Sequence, residues 1–392
     1  MTTAVIVDAV RTPGGRRNGK LRGWHAVDLA AEPLKALVER NDLDPALVDD
    51  VIMGCVMQVG EQALNVGRNA VLAAGYPESV PSTTIDRQCG SSQQAMHFAA
   101  QGVMAGAYDV VIAAGVEHMT HTPMGSSVVR DLGFPFGPTM MGRYAERGGL
   151  VSQGISAEMI ADQWELSRDD LDRFGARSQQ LAAQATAEGR FEREIRPLAV
   201  KDDEGAPTAE TVSTDEGVRP DTTAEVLGNL KPAFKPDGKV TAGNSSQITD
   251  GAAAVLIMSE EKANALGLTP RARFHAFSLA GVDPVTMLTG PIPATRAVLE
   301  KAKMSIEDID LVEINEAFAS VVLAWEKELH ADMDRVNVNG GAIALGHPLG
   351  CSGAKLMSTL LNELERSGGR WGLQTMCEGG GMANATIIER LG

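Results

Sequence analysis

Cysteine is scarce in this chain. Four residues, Cys55, Cys89, Cys351 and Cys377, are spread over 392 positions, and no two form a CxxC pair. That spacing excludes a zinc site built on paired cysteines, and the length argues against a disulfide scaffold. Reduced thiols in a cytoplasmic compartment are the expectation, with no metal. Basic residues are also in deficit: 35 Lys and Arg stand against 51 Asp and Glu, a formal net charge of −16. No nucleic acid and no anionic membrane is expected to be held by general attraction. An anionic small molecule needs only a local basic patch and stays open. No run of about 18 apolar residues occurs, so no membrane-spanning helix is predicted. The first residues, MTTAVIVDAVRTPGG, lead straight into a strand-like run and do not read as a secretory or transit segment. The last, IIERLG, are not an SKL-type address.

What remains is an ordinary globular composition, 44% apolar and 22% charged. The length exceeds what one core usually organises, so two domains or more are expected. Apolar runs at Ala4–Val10, Val51–Met57, Val110–Val116, Ala252–Met258, Ile309–Ile314 and Ala385–Ile388 read as buried strands. Helical patterns lie between many of them, which predicts an α/β fold with largely parallel sheets covered on both faces. From about Met119 to Asn244 the chain turns Gly-, Pro- and charge-rich, with one clear helical stretch, LSRDDLDRFGARSQQLAAQA. Its stripe is Leu171, Phe174, Ser178, Leu181 and Ala185, and Ser167 with Asp170 is the expected cap. This region reads as a long excursion between strands. A faint internal repeat is visible: CGSSQQAMHFAAQGVMAGAYDVVIAAGVE and the stretch from Asn339 to Gly381 both run turn, helix, strand, glycine.

Three motifs suggest chemistry. DRQCGSSQQA places Cys89 at a strand–helix joint, before a face of Ala95, Met96, Phe98, Ala99 and Val103. Ser91 or Ser92 is the expected cap. Unpaired N–H groups at a helix N-terminus favour a thiolate, the nucleophilic form of cysteine. The bland alternative is a small buried residue packed beside Gly90. In GGAIALGHPLG, His347 between Gly346 and Pro348 lies on a turn, either bonded to backbone or held as a base. In CEGGG, Cys377 ends the strand-like WGLQTM, where active sites of open α/β sheets collect, and the glycines leave N–H groups open for an oxyanion or simply make a tight turn.

Together these stretches resemble the thiolases, the acyl-CoA C-acyltransferases. DRQCGSS, AGNSSQITDGAAA, GPIPAT, INEAF, NVNGGAIALGHPLGCSGA and TMCEGGGMANA stand in the family's order and spacing, and the resemblance runs from residue 4 to residue 391. It implies a five-layer α/β/α/β/α core of two similar halves, residues 1–118 with 245–270 and residues 271–392, with a loop domain, 119–244, inserted in the first. It implies Cys89 as the acylated nucleophile, His347 as its activator, and Cys377 as the group that moves a proton to or from the second substrate. Asn315 would hold a water that forms one oxyanion site with His347 Nε2. The N–H groups of Cys89 and Gly379 would form the other. Arg219 and Ser246 would contact coenzyme A, and Met287, Ala317 and Phe318 would line the pantetheine and acyl tunnel. Coenzyme A and 3-ketoacyl-CoA enter as substrates with no permanently bound cofactor, and a homodimer or homotetramer is implied. Lys231, Lys235 and Lys239 offer further positive charge, with solvated loop charge as the alternative.

The chain also departs from the family. Glu378 replaces a commonly apolar residue, EHMT stands where ES-MS is frequent, and Gln153-Gly154 replaces the His-Met of some short-chain members. RQCGSSQQ with QTMCEGGG points to degradative 3-ketoacyl-CoA thiolases, including the steroid side-chain type. An acetoacetyl-CoA thiolase is the alternative. A decarboxylating ketoacyl synthase would need a second histidine where NEAF stands. A silent coenzyme A- or lipid-binding relative would be expected to lose one of the Cys–His–Cys set, and a cysteine hydrolase would use water as acceptor.

Overall fold

The structure, a computed structural model, describes residues 2–392. The strands are β1 (Ala4–Arg11), β2 (Gly15–Arg16), β3 (Asp50–Gly54), β4 (Ser82–Ile85), β5 (Val110–His118), β6 (Leu198–Lys201), β7 (Pro207–Val212), β8 (Thr249–Ser259), β9 (Ala272–Gly281), β10 (Leu311–Ile314), β11 (Trp371–Glu378) and β12 (Met382–Arg390). The helices are α1 (Ala26–Asn41), α2 (Val66–Ala73), α3 (Ser91–Met104), α4 (Pro138–Ala145), α5 (Gln153–Gln163), α6 (Arg168–Ala187), α7 (Ala224–Gly228), α8 (Glu260–Ala265), α9 (Pro291–Ala302), α10 (Ala319–Leu329), α11 (Ala342–Leu345) and α12 (Ser352–Ser367). The run predicted over Val51–Met57 stops at Gly54, because the N–H groups of Val56 and Met57 turn to the buried carboxylate of Glu117.

All strands except β6 and β7 form one sheet in the order β10-β11-β12-β9-β1-β8-β5-β3-β4, with β2 on β8. The expectation of largely parallel pairing is corrected. Only β3–β4, β3–β5 and β10–β11 run parallel, each pair joined through an intervening helix. The tight turn between β11 and β12 and the long excursion between β5 and β8 reverse the chain and give antiparallel neighbours.

The sheet narrows where β1 meets β9, through two residue pairs, Val5 with Arg273 and Ile6 with Ala272. Two strand sets therefore face each other across a shared helical layer. In it α3 packs on β3, β5 and β8, α12 packs on β1, β8, β10 and β11, and the two helices touch. Helices α1 and α2 cover the outer face of one set, and α9, with α10 beside it, covers the other. This is a five-layer α/β/α/β/α fold. A helix enclosed on all sides must be buried on all sides, and every residue of α12 from Ser352 to Leu364 is. On α3, Ala95, Met96, Ala99 and Val103 are buried as expected, but Phe98 is 44% exposed. One residue before Ala99, it falls about 100° around the helix from the buried stripe.

The excursion between β5 and β8 holds α4 to α7 and the β6–β7 ribbon. Ser167 and Asp170 form the expected capping box of α6. Leu171, Phe174, Ser178 and Ala185 are buried, while Leu181 is only half-buried. This region is tied to the sheet by a buried ion cluster. Arg11 Nε meets Glu194 at 2.6 Å and its Nη1 meets Asp215 at 2.7 Å, with all three side chains enclosed. Burial opposes the Arg11 charge, yet the two carboxylates hold its pKa above the ordinary guanidinium value. Arg11→Leu would strand two buried carboxylates, so a loss of about 3–5 kcal/mol in urea unfolding is expected. A loss below about 1 kcal/mol would show that water reaches the cluster.

Candidate active site

Cys89 sits two residues before α3. Gln88 adopts a left-handed backbone, φ 48°, which turns the chain into the cysteine. The capping expectation is corrected: Gly90 is the cap residue and has no side chain to offer. Ser91 Oγ instead accepts from Arg87 N–H at 2.9 Å and donates to the Gln88 carbonyl at 2.6 Å, which pins the Cys89 turn. Ser92 Oγ accepts from Ala354 N–H of α12 at 2.9 Å.

An apolar cluster draws the motifs together. Cys89 packs with Val56, Met119, Leu349, Leu356 and Met376. Leu349 lies two residues after His347, and Met376 immediately precedes Cys377. Glu117, at 0% exposure, supports the same junction. Its carboxylate accepts from the N–H groups of Val56, Met57 and Gly350, so it joins a loop of one half to the histidine loop of the other. In INEAF, Glu316 plays a similar part, accepting from Ser178 Oγ, Asn337 Nδ2 and Ile343 N–H. Sequence reading missed both anchors. The available signal for Glu117 was an acidic residue near the end of an otherwise apolar strand; Glu316 lies two residues beyond β10 and carried no such signal.

The hydrogen bonds of His347 fix its tautomer. Ser352 Oγ donates to the Pro348 carbonyl at 2.9 Å, so it must accept from His347 Nδ1–H, 2.5 Å away. Nε2 then carries the lone pair and receives Asn315 Nδ2–H at 3.4 Å. Burial, reinforced by the Lys355 ammonium, lowers the imidazole pKa to about 3, so the resting ring is neutral with Nε2 unprotonated. Asn315 Oδ1 has no partner among the described residues.

At the end of β11, Cys377 is fully buried beside Cys89, and burial with that neighbour raises its pKa well above the ordinary thiol value. Gly380 and Gly381 take φ of 82° and 81°, a turn that glycine alone makes without strain. The N–H groups of Cys89 and Gly379 both act on the Cys89 sulfur and favour its charged form. The expectation of a resting thiolate is corrected. Burial first, then the Glu378 carboxyl, pushes Cys89 up to about 12, and the two N–H groups only partly offset this. His347 makes no hydrogen bond to Cys89 in this state; its Nε2 contact is Asn315.

The residues expected at the coenzyme A end are partly brought together. Ser246 N–H donates to the Ala317 carbonyl at 3.0 Å, and Ser245 bridges to Phe318. Met287 and Ala317 share an apolar cluster with Cys377, and Phe318 packs against it. Arg219 is exposed, with its backbone N–H on Gln179 Oε1 at 2.7 Å. Lys235 and Lys239 are engaged by Asp162, at 3.0 and 2.8 Å. The space above Gly154, where some short-chain members carry Met, is filled by the Phe234 ring, which a Cβ there would overlap. Phe234 in turn packs edge-on to Phe318, 5.9 Å between centroids.

A buried thiol with two N–H donors aimed at it, a second thiol alongside and a neutral imidazole form the equipment of a cysteine-dependent acyltransferase. Known proteins agree. Residues 4–261 match the family model "Thiolase, N-terminal domain" and residues 268–390 match "Thiolase, C-terminal domain". The chain is 52% identical to the steroid 3-ketoacyl-CoA thiolase FadA6 of Mycobacterium tuberculosis, over 100% of this chain and 95% of that one. It is 49% identical to a 3-ketoacyl-CoA thiolase of Saccharophagus degradans, over 99% and 98%. The crystal structure of the Bacillus anthracis acetyl-CoA acetyltransferase superposes with a TM-score of 0.90 at 42% identity, covering 100% of this chain and 99% of that one. The chain belongs to the thiolase family.

Proposed function

We propose that the protein cleaves 3-ketoacyl-CoA with coenzyme A, releasing acetyl-CoA or propionyl-CoA and a shortened acyl-CoA, in fatty-acid or steroid side-chain β-oxidation. Cys89 sulfur attacks the C3 carbonyl as its proton passes to His347 Nε2. The C3 oxyanion is received by the N–H groups of Cys89 and Gly379. The C2–C3 bond then breaks, and the enolate of the leaving acyl-CoA is protonated by Cys377. Asn315, through a water, and the newly protonated Nε2 receive the enolate oxygen. His347 then returns its proton to the Cys377 thiolate, and the thiol of coenzyme A attacks the acyl-cysteine as its own proton passes to His347 Nε2, which hands it to the departing Cys89 sulfur and restores the site. Each passage through an oxyanion gains from aimed donors in a dry enclosure. The observation that carries this reading is the packing of Cys89 against Leu349 of the histidine loop and Met376 beside the buried Cys377, with the N–H groups of Cys89 and Gly379 favouring charge on its sulfur. Arg219, Ser246, Met287, Ala317 and Phe318 are read as the coenzyme A and tunnel contacts.

The test is kcat/KM over four-, six-, ten- and sixteen-carbon 3-ketoacyl-CoA esters and a steroid-derived one, at fixed coenzyme A. Each buried methylene contributes up to about 0.8 kcal/mol in an open tunnel, so efficiency is expected to rise over several carbons. The Phe234 ring packed over Gly154 favours a second reading, an acetoacetyl-CoA thiolase. A steep fall from four to six carbons would establish that reading instead.

A further inference from the structure

The structure holds a carboxyl group that the reaction described above does not use. Glu378 follows Cys377 on β11 and is 0% exposed. Neither of its oxygens has a hydrogen-bond partner among the described residues. It is pressed against the nucleophile turn: a Cβ at Gly90 would overlap its carboxyl group and come within 2.7 Å of Asn384 Nδ2. Asn384 spends that amide on the Gly90 carbonyl, at 3.1 Å, and its Oδ1 has no donor. Arg87, the nearest cation, makes no ion pair with Glu378. Its Nε has no partner, and its Nη1 lies 3.9 Å from Met382 Sδ.

We propose that Glu378 is a positioning residue held as a neutral carboxylic acid, which fills the space behind Gly90 so that the Cys89 turn keeps its shape, and which disables the nucleophile when it ionises. This rests on the reading of Cys89 as the acylated residue. An unpaired carboxylate sealed from water is costly, whereas the acid form is tolerated and brings a donor to an enclosure with an unfilled acceptor. The ionisable groups that face it are Asp86, Arg87 and Cys89 on the turn before α3, and Cys377 on its own strand; β12 presents the uncharged Asn384. Burial raises the Glu378 pKa to about 8, with Arg87 opposing and Asp86 adding to the shift. Below that pH the group is neutral. Above it, a negative charge stands beside the sulfur that must itself become negative.

The experiment is single-turnover acetylation of the intact protein by acetyl-CoA, followed by mass spectrometry between about pH 7 and pH 9.5. The wild-type rate is expected to fall above about pH 8, on the order of tenfold per pH unit at the limit. Glu378→Gln, which cannot ionise, should lose that alkaline limb. Glu378→Ala should acetylate more slowly at every pH, with Gln restoring what Ala loses. Glu378→Met, which fills the space without a charge, provides the same readout should the Gln protein fail to fold. A wild type with no alkaline limb would overturn the inference, as would Gln and Met variants that retain it. So would a neutral-pH loss in Glu378→Gln that Arg87→Ala reproduces, since the pair would then act as ions. Adducts are mapped to the residue in every variant. Label found away from Cys89 removes the reading of the nucleophile itself, whatever the pH profile.

Discussion

Cys89→Ser is expected to lose turnover by on the order of 10⁶-fold and to carry no acetyl group after brief exposure to acetyl-CoA, where the wild type carries one. The size follows from removing a nucleophile whose partners act only through it. Serine keeps the volume and the two N–H groups aimed at the side chain, so the turn should hold. What it lacks is acidity: an alcohol is far harder to deprotonate than even this raised thiol, at about 12. The readout is intact mass together with steady-state thiolysis. A variant that still takes up one acetyl group would move the nucleophile to another residue, with Cys377 the first to inspect.

The second large effect separates His347 from Cys377. His347→Ala should slow both the acylation step and the thiolysis step. Cys377→Ala should still acylate at a near-normal rate and stall on the second substrate. General acid–base groups are worth about 10²–10⁴-fold, so either loss is easily measured. The asymmetry comes from geometry. His347 Nε2 carries a lone pair that meets Asn315 Nδ2–H at 3.4 Å, whereas the Cys377 thiol is held protonated by its burial and cannot act as the resting base. Equal loss of single-turnover acylation in the two variants would refute this division. Stopped-flow mixing with acetyl-CoA distinguishes the cases.

Much of the site could be read from the sequence because its parts lie on short, punctuated stretches. Gly-His-Pro marks a turn, and Cys-Glu-Gly-Gly-Gly at a strand end marks a turn whose backbone N–H groups no side chain covers. The most apolar strands were legible for a related reason: β8 is buried along its whole length, and its Ala252–Met258 segment reads as one apolar run, whereas short or polar strands such as β2, β4, β6 and β7 left no such run. Pairing direction was not, because it depends on which strands the long excursion brings side by side, and no local pattern encodes that. Cap chemistry failed at Ser91, since a hydroxyl can bond backward to Arg87 and Gln88 as readily as forward into the helix. The protonation of Cys89 failed because helix ends are visible in sequence, whereas the desolvation that outweighs them belongs to the assembled core. Phe234 over Gly154 is a contact across 80 positions, and only the fold could reveal it.

The shared central layer contains a control that evolution has already set up. Both of its helices begin just after a cysteine: Cys89 stands before α3, and Cys351 is the cap residue of α12. Both are buried, and both have pKa values pushed up to about 12, chiefly by burial. The two differ in what faces the sulfur. Cys89 meets the Gly379 N–H across the interface between the halves, whereas the groups acting on Cys351 are the charges of Lys355, Arg11 and Glu117. A helix start is thus common to the two halves, and on the proposed reading of Cys89 as the nucleophile its reactivity depends on the opposing half. One repeat supplies the sulfur and the other supplies the environment that makes it useful, so neither half on its own holds half of the activity.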